Sequence, residues 1–329
     1  MTQGARDREV VLAVPDIAVV IPTYQRATRL PALLDHLACQ SLAPERFEVI
    51  IVDDCSTDDT VAVAKDLAGC LPYRLRVLQT TRNNGPAAAR NLGWQATSAP
   101  VVAFLDDDCS PSKGWLEAGL GACGSTPHPG VVQGATLLPE GSKIGGLTDW
   151  WNWRVVLGPT PFFEGNNLFF PRYVLAITGG FDEDIRYYGE DCAAGWRVRE
   201  AGFASAFCAD ASVTHPVERR GFAWFVQNGY LESRIVHCAA KHPGFRRAAL
   251  WRPWAYRRED PAFLAAITGA LVGLKFRPAL LLVLPYLFLQ RPSLRHLNFF
   301  RLCLQVPVVD GARVAGHVLG SFRHRVFVI

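Results

Sequence analysis

The sequence predicts an α/β domain built on a mixed, mostly parallel sheet flanked by helices, followed by a helical C-terminal extension. Three observations carry this expectation. Short, uninterrupted apolar runs alternate with helical periodicity at roughly 25–30-residue spacing through the first third of the chain, the pattern of right-handed βαβ units. Polar clusters follow the ends of the first, second and fourth of those runs, which puts them on one sheet edge, where open α/β sheets bind ligands. Beyond residue 240 the composition changes. Residues 241–329 carry 14 Lys and Arg against 3 Asp and Glu, and the remaining 20 and 27 leave the first 240 residues acidic. A chain of 329 residues that is 50% hydrophobic has ample core and is not disordered.

Taken in order, residues 1–15 read as a flexible arm without a signal peptide. Ile17–Ile21 is a strand of the doubly buried type, stopped by Pro22, and Leu30, Leu33, Leu34 and Leu37 mark a helix. Phe47–Val52 is the second strand and ends in Asp53-Asp54. Ser56 to Asp59 supply capping chemistry for a helix through Val61, Ala64 and Leu67. Leu75–Leu78 is the third strand, and Pro86 opens a helix that runs through Asn91. The fourth strand, Val101–Leu105, runs straight into Asp106-Asp107-Asp108. Adjacent carboxylates repel one another, so folding alone gives no reason to gather them. A divalent cation does, although a solvated acidic turn is the plain alternative. Residues 131–137, 165–170 and 205–208 are further strands, and a helix from Cys192 to Ala201 closes at Gly202. The domain is therefore expected over 16–240, with a nucleotide half 16–111 and an acceptor half 112–240, and a tail over 241–329.

An ordered set of motifs completes the reading. It comprises Pro22-Thr23-Tyr24, Val52-Asp53-Asp54-Cys55-Ser56-Thr57-Asp58, Gly85-Pro86-Ala87-Ala88-Ala89-Arg90-Asn91, Phe104-Leu105-Asp106-Asp107-Asp108, Gly179-Gly180-Phe181-Asp182-Glu183 and Gly189-Glu190-Asp191. In this order the set resembles an inverting family-2 glycosyltransferase of the GT-A fold, a Rossmann-like nucleotide-diphospho-sugar transferase, over about residues 15–220. Cys55 departs from the glycine usual there.

The resemblance implies a nucleotide-sugar donor, most simply a UDP-sugar, and a hydroxyl acceptor. Asp54 would accept a hydrogen bond from the uracil, with Pro22, Thr23, Tyr24 and Arg26 lining the base pocket beside Gly85. Arg90 would pair with diphosphate or base. Asp108 would bind Mn²⁺ or Mg²⁺ directly, with Asp106 or Asp107 on ribose or a metal-bound water, and His215 is a candidate further ligand. The catalytic base would be Asp191, with Glu190 positioning the acceptor or supporting the loop, since transfer to a hydroxyl with inversion needs a carboxylate opposite the leaving group. Trp196, Arg197 and Asn167 are placed on the acceptor side. Each has a plainer structural reading: Asp54 as a helix cap, Arg90 in a surface pair, His215 in a turn, Glu190-Asp191 at a helix dipole. Trp150, Trp151 and Trp153 could stack on a sugar, meet lipid headgroups or pack in the core.

A retaining enzyme of the same fold, a nucleotidyltransferase and a non-catalytic nucleotide-sugar-binding scaffold are the alternatives. The second is disfavoured because Pro22-Thr23-Tyr24-Gln25-Arg26 stands where a Gly-rich loop would be expected. No zinc-ligand or RNA-recognition motif points to nucleic acid. Nine scattered cysteines without a Cys-x-x-Cys pair fit a reduced, cytosolic setting. In the tail, apolar runs 262–274 and 278–289 are each shorter than the ~20 residues a spanning helix needs. Flanked by Arg257, Arg258, Arg291 and Arg295, they fit a hairpin in the membrane interface, and peripheral contact at the inner face through 255–329 is expected. Core or dimer helices are the alternative.

Overall fold

Alternation along the first strands divides the core in two. Ile17, Val19, Ile21, Val49, Ile51, Ala103 and Leu105 point to one side of the sheet, and Val20, Ile50, Val52, Val102 and Phe104 to the other. Strands buried on both faces need helices on both faces, which is the parallel arrangement. The structure, a computed structural model, describes residues 14–142, 151–185, 187–290 and 305–329. Most of the arm, Trp150, Arg291 and Arg295 lie outside the described residues.

The nucleotide half comprises β1 (Ile17–Thr23), α1 (Leu30–Ala38), β2 (Phe47–Asp53), α2 (Thr60–Ala68), β3 (Arg74–Gln79), α3 (Pro86–Gln95) and β4 (Val101–Leu105). Next come β5 (Ser110–Pro111), α4 (Trp115–Cys123), β6 (Pro129–Leu137), β7 (Trp151–Asn152), β8 (Asn167–Pro171), α5 (Arg172–Thr178), α6 (Glu190–Glu200), β9 (Ala204–Thr214) and β10 (Glu218–Arg219). The main sheet has the order β3-β2-β1-β4-β8-β6-β9-β5. The pairs β1/β2, β2/β3, β1/β4 and β6/β9 are parallel, while β8 runs antiparallel to both β4 and β6. The strand expected at 205–208 is part of a longer one, β9, that runs on to Thr214.

Two local details explain sequence features. Cys55 has φ +64°, a left-handed conformation in which glycine is unstrained, so the glycine usual at this position has a backbone reason. The turn holding it is tied down by the Ser56 N–H, which donates to the Asp53 carboxylate at 3.0 Å. The expected cap of α2 is corrected in detail. Asp59 occupies the N-cap position without a side-chain capping bond, and Asp58 accepts from the Thr60 N–H instead.

From residue 222 on, the described chain is mostly helical: α7 (Phe222–Glu232), α8 (Ile235–Lys241), α9 (Pro243–Ala249), α10 (Glu259–Gly273), a 3-10 helix (Arg277–Val283), α11 (Leu284–Leu289) and a C-terminal helix (Val306–His324). The tail is not set apart from the domain at 240. Ile235, Val236, Phe245, Leu250 and Val328 all join the core on the α3/α6 side of the sheet. A small satellite core of Ala262, Phe263, Ala266, Tyr286 and Val314 joins α10, α11 and the C-terminal helix. Beside it, buried Arg313 donates to fully buried Asp260 at 2.8 and 3.0 Å and pairs with Asp310 at 2.9 Å. Such a network is stable only when each charge keeps its partner.

Candidate active site

The carboxyl ends of β1, β2 and β4 open onto a cavity of about 530 Å³. Its wall contains Pro22, Thr23, Tyr24, Arg26, Asp54, Gly85, Arg90, Asp106, Asp107, Asp108 and Glu190, so the strand-end clusters legible in the sequence do share one cleft. Five carboxylates face two guanidiniums there, an imbalance that a diphosphate would worsen and a divalent cation would reduce.

Arg90 joins the two acidic clusters. It is 3% exposed, and its guanidinium donates through Nη2 to Asp106 Oδ1 and through Nη1 to Glu190 Oε1, each at 2.9 Å. Burial opposes its charge, but Asp106 and Glu190 outweigh burial and raise its pKa. The guanidinium also lies over the Phe181 ring, 5.4 Å from its centroid. Arg90 is therefore no surface pair: it stands in the cavity wall with its guanidinium held between two carboxylates. Next to it, the Asn91 amide donates to Phe181 O and Glu183 and accepts from Phe181 N–H and Trp94 Nε1. That latch holds the Gly179-Gly180 turn, where a Cβ on Gly180 would come within 2.5 Å of Asn91 Oδ1.

The other carboxylates divide by partner. Asp107 accepts from Thr23 Oγ1 and Arg26 Nε, both at 2.9 Å, so it braces the β1 loop at the cavity wall. Burial pushes it up, Arg26 pulls it back, and it settles at about 6. Asp54 accepts from Thr80 Oγ1, Asn84 N–H and Gly85 N–H, with the last, at 2.7 Å, on Oδ2. It therefore shapes the 83–85 loop and still keeps one acceptor position on Oδ2 at the cavity wall.

His215 lies beside Asp108, with Nε2 at 3.9 Å from Oδ1. Its Nδ1 sits 2.9 Å from Pro216 O, so in the neutral imidazole Nδ1 carries the proton and Nε2 turns its lone pair toward Asp108. Burial and the neighbouring Asp106 raise the Asp108 pKa, as expected for a carboxylate short of a counter-cation. Among the described residues no ready-made group of three metal-ligating side chains exists. The residues present fit a cation held jointly by Asp108, His215 and the ligand's own oxygens, with Asp106 close by, rather than an all-protein cage.

Across Arg90 stands the second cluster. Glu190 opens α6 after Gly189, whose φ is +106°. Its Oε2 is buried without a partner, as is Arg90 Nε. Burial first, then repulsion from Asp191, raises Glu190 to about 7 against the pull of Arg90. Asp191 accepts from Gly165 N–H and Cys192 N–H, both at 2.7 Å, and burial raises it too. A Cβ on Gly165 would meet Arg90 Nη2 at 2.9 Å and Asp191 Cβ at 3.0 Å, so only glycine lets both approach.

The three acceptor-side residues are corrected. Asn167 is buried and fully used, donating to Ala135 O and Ala211 O and accepting from Trp115 Nε1. Trp196 packs in the core against Phe163 and Phe245, with Nε1 on Pro161 O. Arg197 closes the 178–182 turn through Thr178 O, Gly180 O and Asp182. Trp153 is about half exposed. The cavity also contains Gln25, Asn83, Pro86, Ala89 and Tyr187, which sequence reasoning missed. Asn83 and Tyr187 could have been suspected as polar and aromatic groups flanking Gly85 and Gly189; the Tyr187 hydroxyl donates to Asn83 Oδ1 at 2.9 Å across the cleft mouth.

Comparison with known proteins agrees with this geometry. The sequence model of Glycosyl transferase family 2 matches residues 18–176. Glycosyltransferase AglE of Haloferax volcanii is 28% identical over 63% of this chain and 69% of its own length. Pre-mycofactocin glycosyltransferase of Mycobacterium tuberculosis is 29% identical over 69% of this chain but 48% of its own. Validoxylamine A glucosyltransferase of Streptomyces hygroscopicus is 29% identical over 72% and 59%. The chain thus spans roughly half to two thirds of these relatives. Among solved structures, mannosyltransferase PcManGT from Pyrobaculum calidifontis, in complex with GDP-Man and Mn²⁺, superposes with a TM-score of 0.63 at 19% identity, covering 93% of this chain and 88% of that one. S. aureus TarS in complex with UDP gives 0.51 at 18%, covering 94% and 92%. At these identities the structures speak for the fold. With the motifs in order and the strand-end cleft in place, residues 18–176 match glycosyl transferase family 2, and the chain has the GT-A fold of a glycosyltransferase.

Proposed function

We propose that this protein transfers a sugar, with inversion, from a nucleotide-sugar donor to a hydroxyl acceptor, using a divalent metal. The observation that carries the reading is Arg90, which spans from Asp106 to Glu190 and so makes the two acidic clusters walls of a single cleft. The donor's base would lie between Tyr24 and Asp54, whose free Oδ2 position suits the N3–H of uracil, hence a UDP-sugar. A cation held by Asp108 and His215 would neutralise charge on the departing diphosphate. Asp191, fixed by two backbone N–H groups, would take the acceptor's proton. PcManGT and TarS are described with a nucleotide sugar or a nucleotide, and PcManGT with Mn²⁺, which supports the same classes here.

The test is thermal unfolding across a panel of nucleotide sugars with and without Mn²⁺. One donor with metal is expected to raise Tm by about 5 °C at saturating ligand. A flat panel overturns the reading. The anomeric configuration of the product separates inversion from retention.

The tail supports a peripheral membrane position at the cytoplasmic face. Leu271, Leu274, Phe276, Leu281 and Phe288 are 60–84% exposed around Lys275 and Arg277. Among the described residues no helix is long and apolar enough to cross a membrane. Apolar side chains ringed by cations suit the interface of an anionic bilayer. The eight described cysteines are free thiols, in keeping with a reducing compartment. The protein is expected to float with phosphatidylglycerol vesicles, and Leu274→Asp/Phe276→Asp to stay behind. Equal flotation of both would remove the tail as the anchor.

A further inference from the structure

A second cavity, of about 630 Å³, lies between α7, α8 and the C-terminal helix. Its wall is cationic. Arg234 and His237 come from one side, Arg323 and His324 from the other, and Tyr230 adds a hydroxyl, while the Ser233 hydroxyl donates to Tyr230 O. The imidazoles of His237 and His324 stack with centroids 4.0 Å apart at 17°. Among the described residues no carboxylate pairs with Arg234 or Arg323. Asp184 also lines the cavity but lies 3.7 Å from Lys241 Nζ, which bonds to Asp182 as well. Burial, mutual repulsion and Lys241 push His237 down to about 4, and burial, Arg323 and Lys241 lower His324. With the imidazoles held neutral and Asp184 shared with Lys241, the guanidiniums of Arg234 and Arg323, which no described carboxylate pairs, are the electrostatic form of a site for an anion.

The cavity's position relates it to the donor cleft. The Arg234 guanidinium stacks over the Tyr187 ring, 5.5 Å from its centroid, and Tyr187 is a wall of the donor cleft. Asp184 and Ile185 line the second cavity, and the same stretch of chain goes on to Glu190 and Asp191. One aromatic ring therefore separates an anion-seeking pocket from the cleft, on the side of the proposed base.

We propose that this pocket binds the phosphate monoester or diester of a phosphorylated acceptor, a subsite that rests on the reading of the main cleft as a glycosyl-transfer site. Arg234 and Arg323 grip the phosphate oxygens from opposite walls, the Tyr230 hydroxyl adds a donor, and the acceptor hydroxyl extends past Tyr187 toward Asp191.

The experiment uses the full chain. Inorganic phosphate and glycerol phosphate are titrated calorimetrically into the wild type, into Arg323→Gln and into Arg26→Gln, a donor-cleft variant. Saturable binding of both probes is expected, weakened about tenfold by Arg323→Gln and unchanged by Arg26→Gln. No saturable binding, or loss with Arg26→Gln in place of Arg323→Gln, overturns the site whether or not any donor has been found. Binding of inorganic phosphate with exclusion of glycerol phosphate overturns its use by an acceptor. With a working donor, phosphorylated and dephosphorylated forms of one acceptor are compared. Arg323→Gln is expected to raise KM about tenfold for the phosphorylated form alone. Equal KM values for the two forms would sink the acceptor subsite and leave glycosyl transfer itself intact.

Discussion

Asp191→Asn is expected to lower turnover about 10³-fold, the scale of a lost general base. Donor binding, read by Mn²⁺-dependent thermal shift, should stay within about threefold of wild type, because Asp191 is not part of the donor cavity's wall. Both Asp191 oxygens accept backbone N–H bonds, and an asparagine NH₂ cannot, so one of Gly165 N–H and Cys192 N–H loses its acceptor. A structural cost of about 1–3 kcal/mol follows, and unfolding must be measured alongside turnover. Wild-type activity at full stability would remove Asp191 as the base. The pH profile gives a second readout. Glu190 is raised from 4.5 to about 7 and Asp191 is raised beside it, so the pair takes up its first proton together. Turnover is expected to fall as pH drops below about 7. Stability runs the other way. A buried carboxyl with a raised folded pKa favours the folded state most below its unfolded value, 4.5 for Glu190, and that contribution is lost as pH rises through about 7. A site that is most active where it is least stable is the physical signature expected here.

Arg90→Met is expected to cost about 3 kcal/mol of stability, because it leaves buried Glu190 without its cation, while the partly exposed Asp106 loses a partner that water can partly replace. In thermal unfolding that amounts to roughly 10 °C. The double variant Arg90→Met/Glu190→Gln should recover part of the loss, since a neutral amide no longer needs the guanidinium. A non-additive cycle of 1 to about 3 kcal/mol would measure the coupling. Strict additivity would mean that the bridge carries no energy and that the two clusters are held in place by other contacts.

Individual residues show how far the sequence reading reached. The strands were legible because doubly buried strands read as bare apolar runs, and Val101–Leu105 was bounded to the residue. The helix start at Pro86 and the left-handed Gly202 after α6 were legible from backbone chemistry alone. Asn167 was misread because its type and position fit a ligand as well as they fit a brace. Only its hydrogen bonds to Trp115, Ala135 and Ala211 decide between those uses. Trp196 is a parallel case, since an amphipathic aromatic one turn after an acidic pair packs against a core as readily as it lines a cleft.

The sequence by itself determined the α/β class, the edge of the sheet where chemistry gathers, and the identity of the two acidic clusters. These depend on period, capping and strand ends, which are local properties. Tertiary structure alone decided that Arg90 joins those clusters, that His215 turns Nε2 toward Asp108, and that α8, α9 and Val328 share the domain's core. Each of those facts is a meeting of residues far apart in the chain, and a local pattern carries no information about which distant group will arrive to neutralise a buried charge.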